Sequence, residues 1–115
     1  MTLYGIPNCD TTKKAMDWLK LNKIDFAFHN YKEAGISVQK LNEWCDKAGW
    51  EKILNKRSTT WRELPAAKQK AVTDQPSAVQ VMQQNNSIIK RPVLEYKEQL
   101  LIGFDEKKYA GIFQQ

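Results

Sequence analysis

The sequence predicts an α/β fold built on a four-stranded mixed sheet. Three observations predict it. Strand, helix and strand signals follow one another in the opening stretch, which has the length of a βαβ unit. A long middle block carries helix signals and no strand signal. The end returns to two strands and a helix.

Taken in order, residues 2–6 (TLYGI) are β-prone and run into the turn signal Pro7-Asn8. Asn8, Asp10 and Thr11 are good N-cap types, and Thr11 to Lys23 has helix-forming composition with Ala15, Met16, Trp18 and Leu19 on its apolar side. Ile24 to His29 alternates as a strand does. Ser37 can cap a helix running to about Ala48, with Val38, Leu41, Cys45 and Ala48 as its apolar stripe. Trp50 to Asn55 is a second helical stretch, residues 57–60 read as a loop, and Pro65 to Val72 is helical again. Pro76 opens a further helix, which Asn85-Asn86 closes. Residues 92–96 and 100–102 form a hairpin through Lys97-Glu98-Gln99, and Gly103 stops its second strand. Asp105 caps a last helix through Phe113, whose apolar face holds Tyr109, Ile112 and Phe113. There is no repeat or linker, so residues 1–115 are expected to form one domain with a helical insertion at about 37–86.

Composition excludes several classes. With 42% hydrophobic and 27% charged residues the chain is that of an ordinary soluble globular protein. No apolar run approaches the roughly 18 residues of a spanning helix, so no membrane partner is expected. The net charge of +5 favours anionic partners only weakly. Two Cys and one His argue against a zinc site, and they exclude a disulfide scaffold. No P-loop, dinucleotide fingerprint or G-x-S-x-G elbow is present. The opening MTLYGIPNC has neither a basic n-region nor an apolar h-region, which points to the cytoplasm and to reduced thiols.

The two cysteines differ. Cys45 lies on a helix's apolar stripe and reads as a small core hydrophobe. Cys9 lies in a polar loop at a helix start, where orphan N–H groups and the positive dipole end lower a thiol's pKa. Lys13 and Lys14 add positive potential, and Asp10 opposes it. His29 ends a strand and is given no role.

Tyr4-Gly5-Ile6-Pro7-Asn8-Cys9-Asp10-Thr11-Thr12-Lys13-Lys14-Ala15 resembles the start of the ArsC-like family. That family includes arsenate reductases, Spx-type regulators and YffB-type proteins, and the opening octet is most similar to the YffB-type branch. Residues 55–64 (NKRSTTWREL) and 89–94 (IKRPVL) resemble the family's mid-chain arginine segment and its Arg-Pro strand. The resemblance implies a thioredoxin-like fold and a cis peptide before Pro92 facing the cysteine loop. It also implies that Cys9 is the nucleophile and that Arg57 and Arg91 converge on it. Arginine forks bind oxyanions and carboxylates bidentately and stabilise a nearby thiolate.

Three departures bear on activity. Arsenate reductases of this type carry a third arginine after the Arg-Pro strand, and no Arg follows Arg91 here. They carry a His where Gly5 stands. Spx-type switches use C-x-x-C, whereas here Thr12 takes the second position and can donate a hydrogen bond to the Cys9 thiolate. The expected activity is therefore a one-cysteine thiol–disulfide reductase. Cys9 and Thr12 would do its chemistry, and Arg57, Arg91, Lys13 and Pro92 would line the substrate or anion site. Glutathione would be co-substrate, with no bound cofactor or metal. The alternatives are arsenate reduction, an oxyanion substrate with glutaredoxin as partner, and a non-enzymatic regulator binding RNA polymerase as Spx-type relatives do. A monomer is expected.

Overall fold

In the computed structural model, residues 1–114 are described. The chain divides into two compact units, one formed by residues 1–30 together with the stretch from Arg91 onward, the other by Tyr31–Lys90.

The first unit holds the sheet. β1 (Thr2–Gly5) pairs in parallel with β2 (Ala27–Asn30), and α1 (Asp10–Leu21) connects them. β1 also pairs antiparallel with β3 (Val93–Tyr96), which pairs with β4 (Gln99–Ile102) to give the order β2-β1-β3-β4. The sheet is the four-stranded mixed sheet expected. Register aligns Phe28, Leu3, Leu94 and Leu101 in one row across all four strands. That row meets Ala15, Trp18 and Leu19 of α1 and Tyr109 of α8 (Glu106–Phe113) in one apolar cluster. Burying a Leu side chain of this kind is worth roughly 1.5–3 kcal/mol, so the row and the two helices over it anchor the unit.

Sequence chemistry accounts for the boundaries. The hairpin turns at Lys97, whose φ is +54°, and Gly103 at φ +79° ends β4. Asp105 caps α8 by accepting from the N–H groups of Lys107 and Lys108. β2 starts later than the alternation implied. Ile24 and Phe26 lie outside the strand and pack against the apolar cluster. On the opposite face, the Tyr4 hydroxyl donates to Glu95 Oε1 at 2.7 Å.

The second unit is helical: α2 (Tyr31–Ala34), α3 (Val38–Ala48), α4 (Trp50–Ile53), α5 (Thr59–Glu63), α6 (Ala66–Lys70) and α7 (Gln75–Gln84). Ser37 caps α3 as expected, and Asp74 and Ser77 form a capping box on α7. Residues 57–60 are not all loop: Ser58 accepts from the Trp61 N–H and starts α5 at Thr59. The apolar stripe of α3 is Leu41, Trp44 and Cys45, while Val38, in its first turn, is 47% exposed. The helical unit is wider than 37–86. Tyr31 is fully buried at its start, and Leu54 bridges Ile89 while Asn55 N–H donates to the Ile88 carbonyl at its end.

Candidate active site

The site begins with a turn. Pro7 sits at the second position of the turn Ile6–Cys9, closed by the Cys9 N–H donating to the Ile6 carbonyl at 3.1 Å. Cys9 is then the N-cap of α1, with extended φ −94° and ψ 125°, and its carbonyl accepts the first helical bond from Lys13 at 2.9 Å. Asn8, Asp10 and Thr11 were the cap types legible in the sequence. The cysteine itself takes the position, because the Pro7 turn delivers it there.

An N-cap side chain faces the orphan N–H groups of the first turn. As a neutral thiol the Cys9 sulfur makes no standard capping bond, which fits a weak acceptor. The thiolate is another matter. Burial on its own pushes the partly buried Cys9 thiol up. Against it stand the Thr12 N–H, the Thr12 hydroxyl, the Arg91 side chain and the Thr11 N–H, and together they hold it below the ordinary thiol value. Lys13 is exposed on the same helix, and neither it nor Asp10 is among the groups that shift Cys9.

Thr12 is fully buried, which is unusual for a hydroxyl residue. Among the described residues its Oγ1 has no hydrogen-bond partner of standard geometry. Leaving a buried hydroxyl unpaired costs about 1–3 kcal/mol, and ionised Cys9 is the acceptor that removes the cost. The site therefore favours the thiolate twice, through the N–H groups of the helix start and through Thr12.

Arg91 arrives from the far end of the chain, immediately before β3, and the Arg91–Pro92 peptide is cis. Pro92 is buried, and its carbonyl accepts from the Gly103 N–H at 2.8 Å. The first unit thus holds Cys9 together with Thr12 and Arg91, which act on it, and Pro92 lies in the same unit. Arg57 belongs to the second unit, where it is exposed and its N–H is held by Asn55 Oδ1 at 3.0 Å. Cys45 also lies in the second unit, 3% exposed. Burial, helped by the neighbouring Asp46, pushes its thiol up to about 11. One residue acquires a place that sequence reasoning did not assign: Gly5, the last residue of β1, lies against Thr12. Its only signal was a glycine shortly before Pro-Asn-Cys.

A family model described as the ArsC family matches residues 4–112. The chain belongs to the ArsC family. An uncharacterised Haemophilus influenzae protein is 40% identical over 113 residues, covering 98% of both chains. The solved structure of a YFFB protein matches with TM-score 0.92 at 44% identity, covering 96% of each chain. An arsenate reductase (ArsC) related protein from Brucella melitensis matches with TM-score 0.75 at 40% identity, over 99% of this chain and 94% of that one. The global transcriptional regulator Spx of Streptococcus agalactiae is 27% identical over 92% of this chain and 77% of its own. This ArsC-family chain has the thioredoxin-like α/β fold of its neighbours. Among its described residues no helix is long and apolar enough to cross a membrane.

Proposed function

We propose that this ArsC-family protein is a one-cysteine thiol–disulfide reductase that uses glutathione in the cytoplasm. The observation that carries the reading is Cys9 at the N-cap of α1, favoured as thiolate by Thr12 and Arg91, with Thr12 where a second cysteine would stand. The Cys9 thiolate attacks the glutathione sulfur of a mixed disulfide. A Cys9–glutathione disulfide forms, and the substrate leaves as a thiolate that takes up a proton. A second glutathione thiolate then attacks the glutathione sulfur of that adduct, releasing oxidised glutathione and restoring the Cys9 thiolate. The Arg91 fork suits a glutathione carboxylate, and Arg57 carries the same proposal on the family's motif alone. The test is reduction of a glutathionylated peptide by the full chain with glutathione. Cys9-dependent turnover is expected, and a rate equal to that of glutathione alone defeats the reading.

The arsenate reductase relative supports a second substrate, the arsenate oxyanion, with glutaredoxin as resolving partner. The absence of any Arg after Arg91 counts against it, and the same preparation assayed with arsenate, glutathione and glutaredoxin decides between the two. The Spx relatives favour a regulator that binds RNA polymerase. The charge adds to that reading, since Lys and Arg exceed Asp and Glu by four in residues 31–90, out of five for the chain. A pull-down that retains polymerase subunits would support it.

A further inference from the structure

Gly5 ends β1, is buried, and pairs with Asn30 of β2. Its backbone conformation is one that other residues adopt, so what the position demands is space. A β-carbon built there stands 2.8 Å from Thr12 Oγ1, 2.9 Å from Thr12 Cγ2 and 3.5 Å from Thr12 Cβ. Both arms of one β-branched side chain are blocked at once. Rotation about χ1 offers no relief, because in the present well the hydroxyl and the methyl are both against the new carbon, and the other wells still leave one arm there. Thr12 cannot retreat either, since it is fully buried in the first turn of α1.

We infer that Gly5 is a positioning residue: its missing side chain leaves the Thr12 hydroxyl room to reach the Cys9 sulfur. Two observations that do not depend on each other meet at this point. The close approach belongs to the strand end, and the buried Oγ1 without a standard partner belongs to the helix start. The other groups acting on Cys9 are the Thr11 and Thr12 N–H groups and the Arg91 side chain, with Asp10 and Lys13 as the charged neighbours on α1. The three heavy atoms nearest a β-carbon at Gly5 all belong to Thr12, so its effect on Cys9 passes first through Thr12.

The inference rests on Cys9 being the reacting thiol, as in the proposed reductase. Its test reads the thiolate directly, so a failed reductase assay and a failed positioning role remain distinguishable. Iodoacetamide alkylation of Cys9 in the full chain is followed against pH by peptide mass spectrometry, for wild type, Gly5→Ala, Thr12→Val and the double variant. Gly5→Ala and Thr12→Val should each raise the midpoint. A rise of half a unit lowers the thiolate fraction about threefold at pH values below both midpoints. The double variant should match Thr12→Val, because the hydroxyl is then already gone. A folded Gly5→Ala protein with the wild-type midpoint overturns the inference, and so does a double variant displaced by the sum of the two single shifts. Should Gly5→Ala fail to fold, Gly5→Ala/Thr12→Ser removes Cγ2 and leaves Oγ1 as the one arm that must swing away from the new carbon. Its midpoint should then be raised like that of Thr12→Val while Thr12→Ser alone stays near wild type, and a wild-type midpoint in the double variant overturns the inference. Thr12→Val decides alone if neither folds: an unmoved midpoint means that the hydroxyl does nothing for Cys9.

Discussion

The Arg91 side chain acts on Cys9 from just before β3, the strand that pairs with β1, and it is the one charged side chain among the groups that shift the thiol. Arg91→Ala should therefore raise the midpoint of the Cys9 pH–rate profile and slow alkylation about 3–10-fold at pH values below it. Arg91→Lys keeps the charge but loses the planar fork, so it should recover part of the rate and less of any carboxylate-dependent substrate binding. Stopped-flow alkylation measures the first effect, and the KM for glutathione measures the second. An unmoved midpoint in Arg91→Ala contradicts the role given to the guanidinium.

Cys9→Ser should abolish thiol chemistry and leave the fold intact. Serine is a preferred N-cap, and Cys9 already has the extended backbone of a cap. The melting temperature at neutral pH should stay level or rise by a few degrees, and reductase turnover should fall to the rate of glutathione alone. Calorimetry on a sample shown inactive separates loss of the nucleophile from loss of structure.

The two thiols couple to stability with opposite signs. Cys9 is held below its unfolded value, so its ionisation contributes stability that is complete above about pH 8.5 and is lost as pH falls through the folded value. Cys45 is pushed up to about 11, so its contribution is intact below the unfolded value and is lost as pH rises from there. Urea unfolding of wild type minus Cys9→Ser, followed across pH, isolates the first. The difference should grow in favour of wild type as pH rises toward 9, and a flat difference contradicts the lowered thiol.

Cys45 should be silent in the native protein. At 3% exposure and with a raised pKa it offers neither access nor thiolate. Titration with a chromogenic disulfide at pH 7.5 should count one thiol in the folded chain and two in denaturant. Two fast thiols in the folded chain would place Cys45 outside the core.

Tyr109 is fully buried among Leu3, Trp18, Leu19 and Leu94, and its hydroxyl has no hydrogen-bond partner among the described residues. Burial alone pushes its pKa upward. Tyr109→Phe removes an unpaired polar atom and keeps the ring, so it should be neutral or stabilise by up to about 1 kcal/mol. Tyr109→Ala opens a cavity over the leucine row and should cost about 3–5 kcal/mol. Denaturant midpoints at constant m-value check both.

Much of the fold was legible because its signals are local. Ser37 and Asp105 cap the helices they precede, and Lys97 and Gly103 punctuate the final hairpin. Less was legible where position along an element decides the environment. Val38 shares the helical spacing of Leu41 and Cys45 but sits in the first turn and is exposed. β2 loses Ile24 to Phe26 from the expected strand because pairing with β1 begins only where Thr2 meets Ala27. Of the residues that act on Cys9, Arg91 came from the family's Arg-Pro motif and Thr12 from its place where C-x-x-C has a second thiol, while Gly5 showed only as a glycine where arsenate reductases carry His.

The sequence by itself determined the order of elements, the two environments of the cysteines and the absence of a second thiol beside Cys9. These follow from patterns read within a few residues of one another. Only the tertiary structure decided that β3 lies beside β1, that Arg91 therefore reaches a cysteine at the other end of the chain, and that Gly5 leaves room for Thr12. The reason is physical. A thiol's pKa and a hydroxyl's direction depend on what lies within a few ångströms in space, and strand pairing brings residues together irrespective of their separation along the chain.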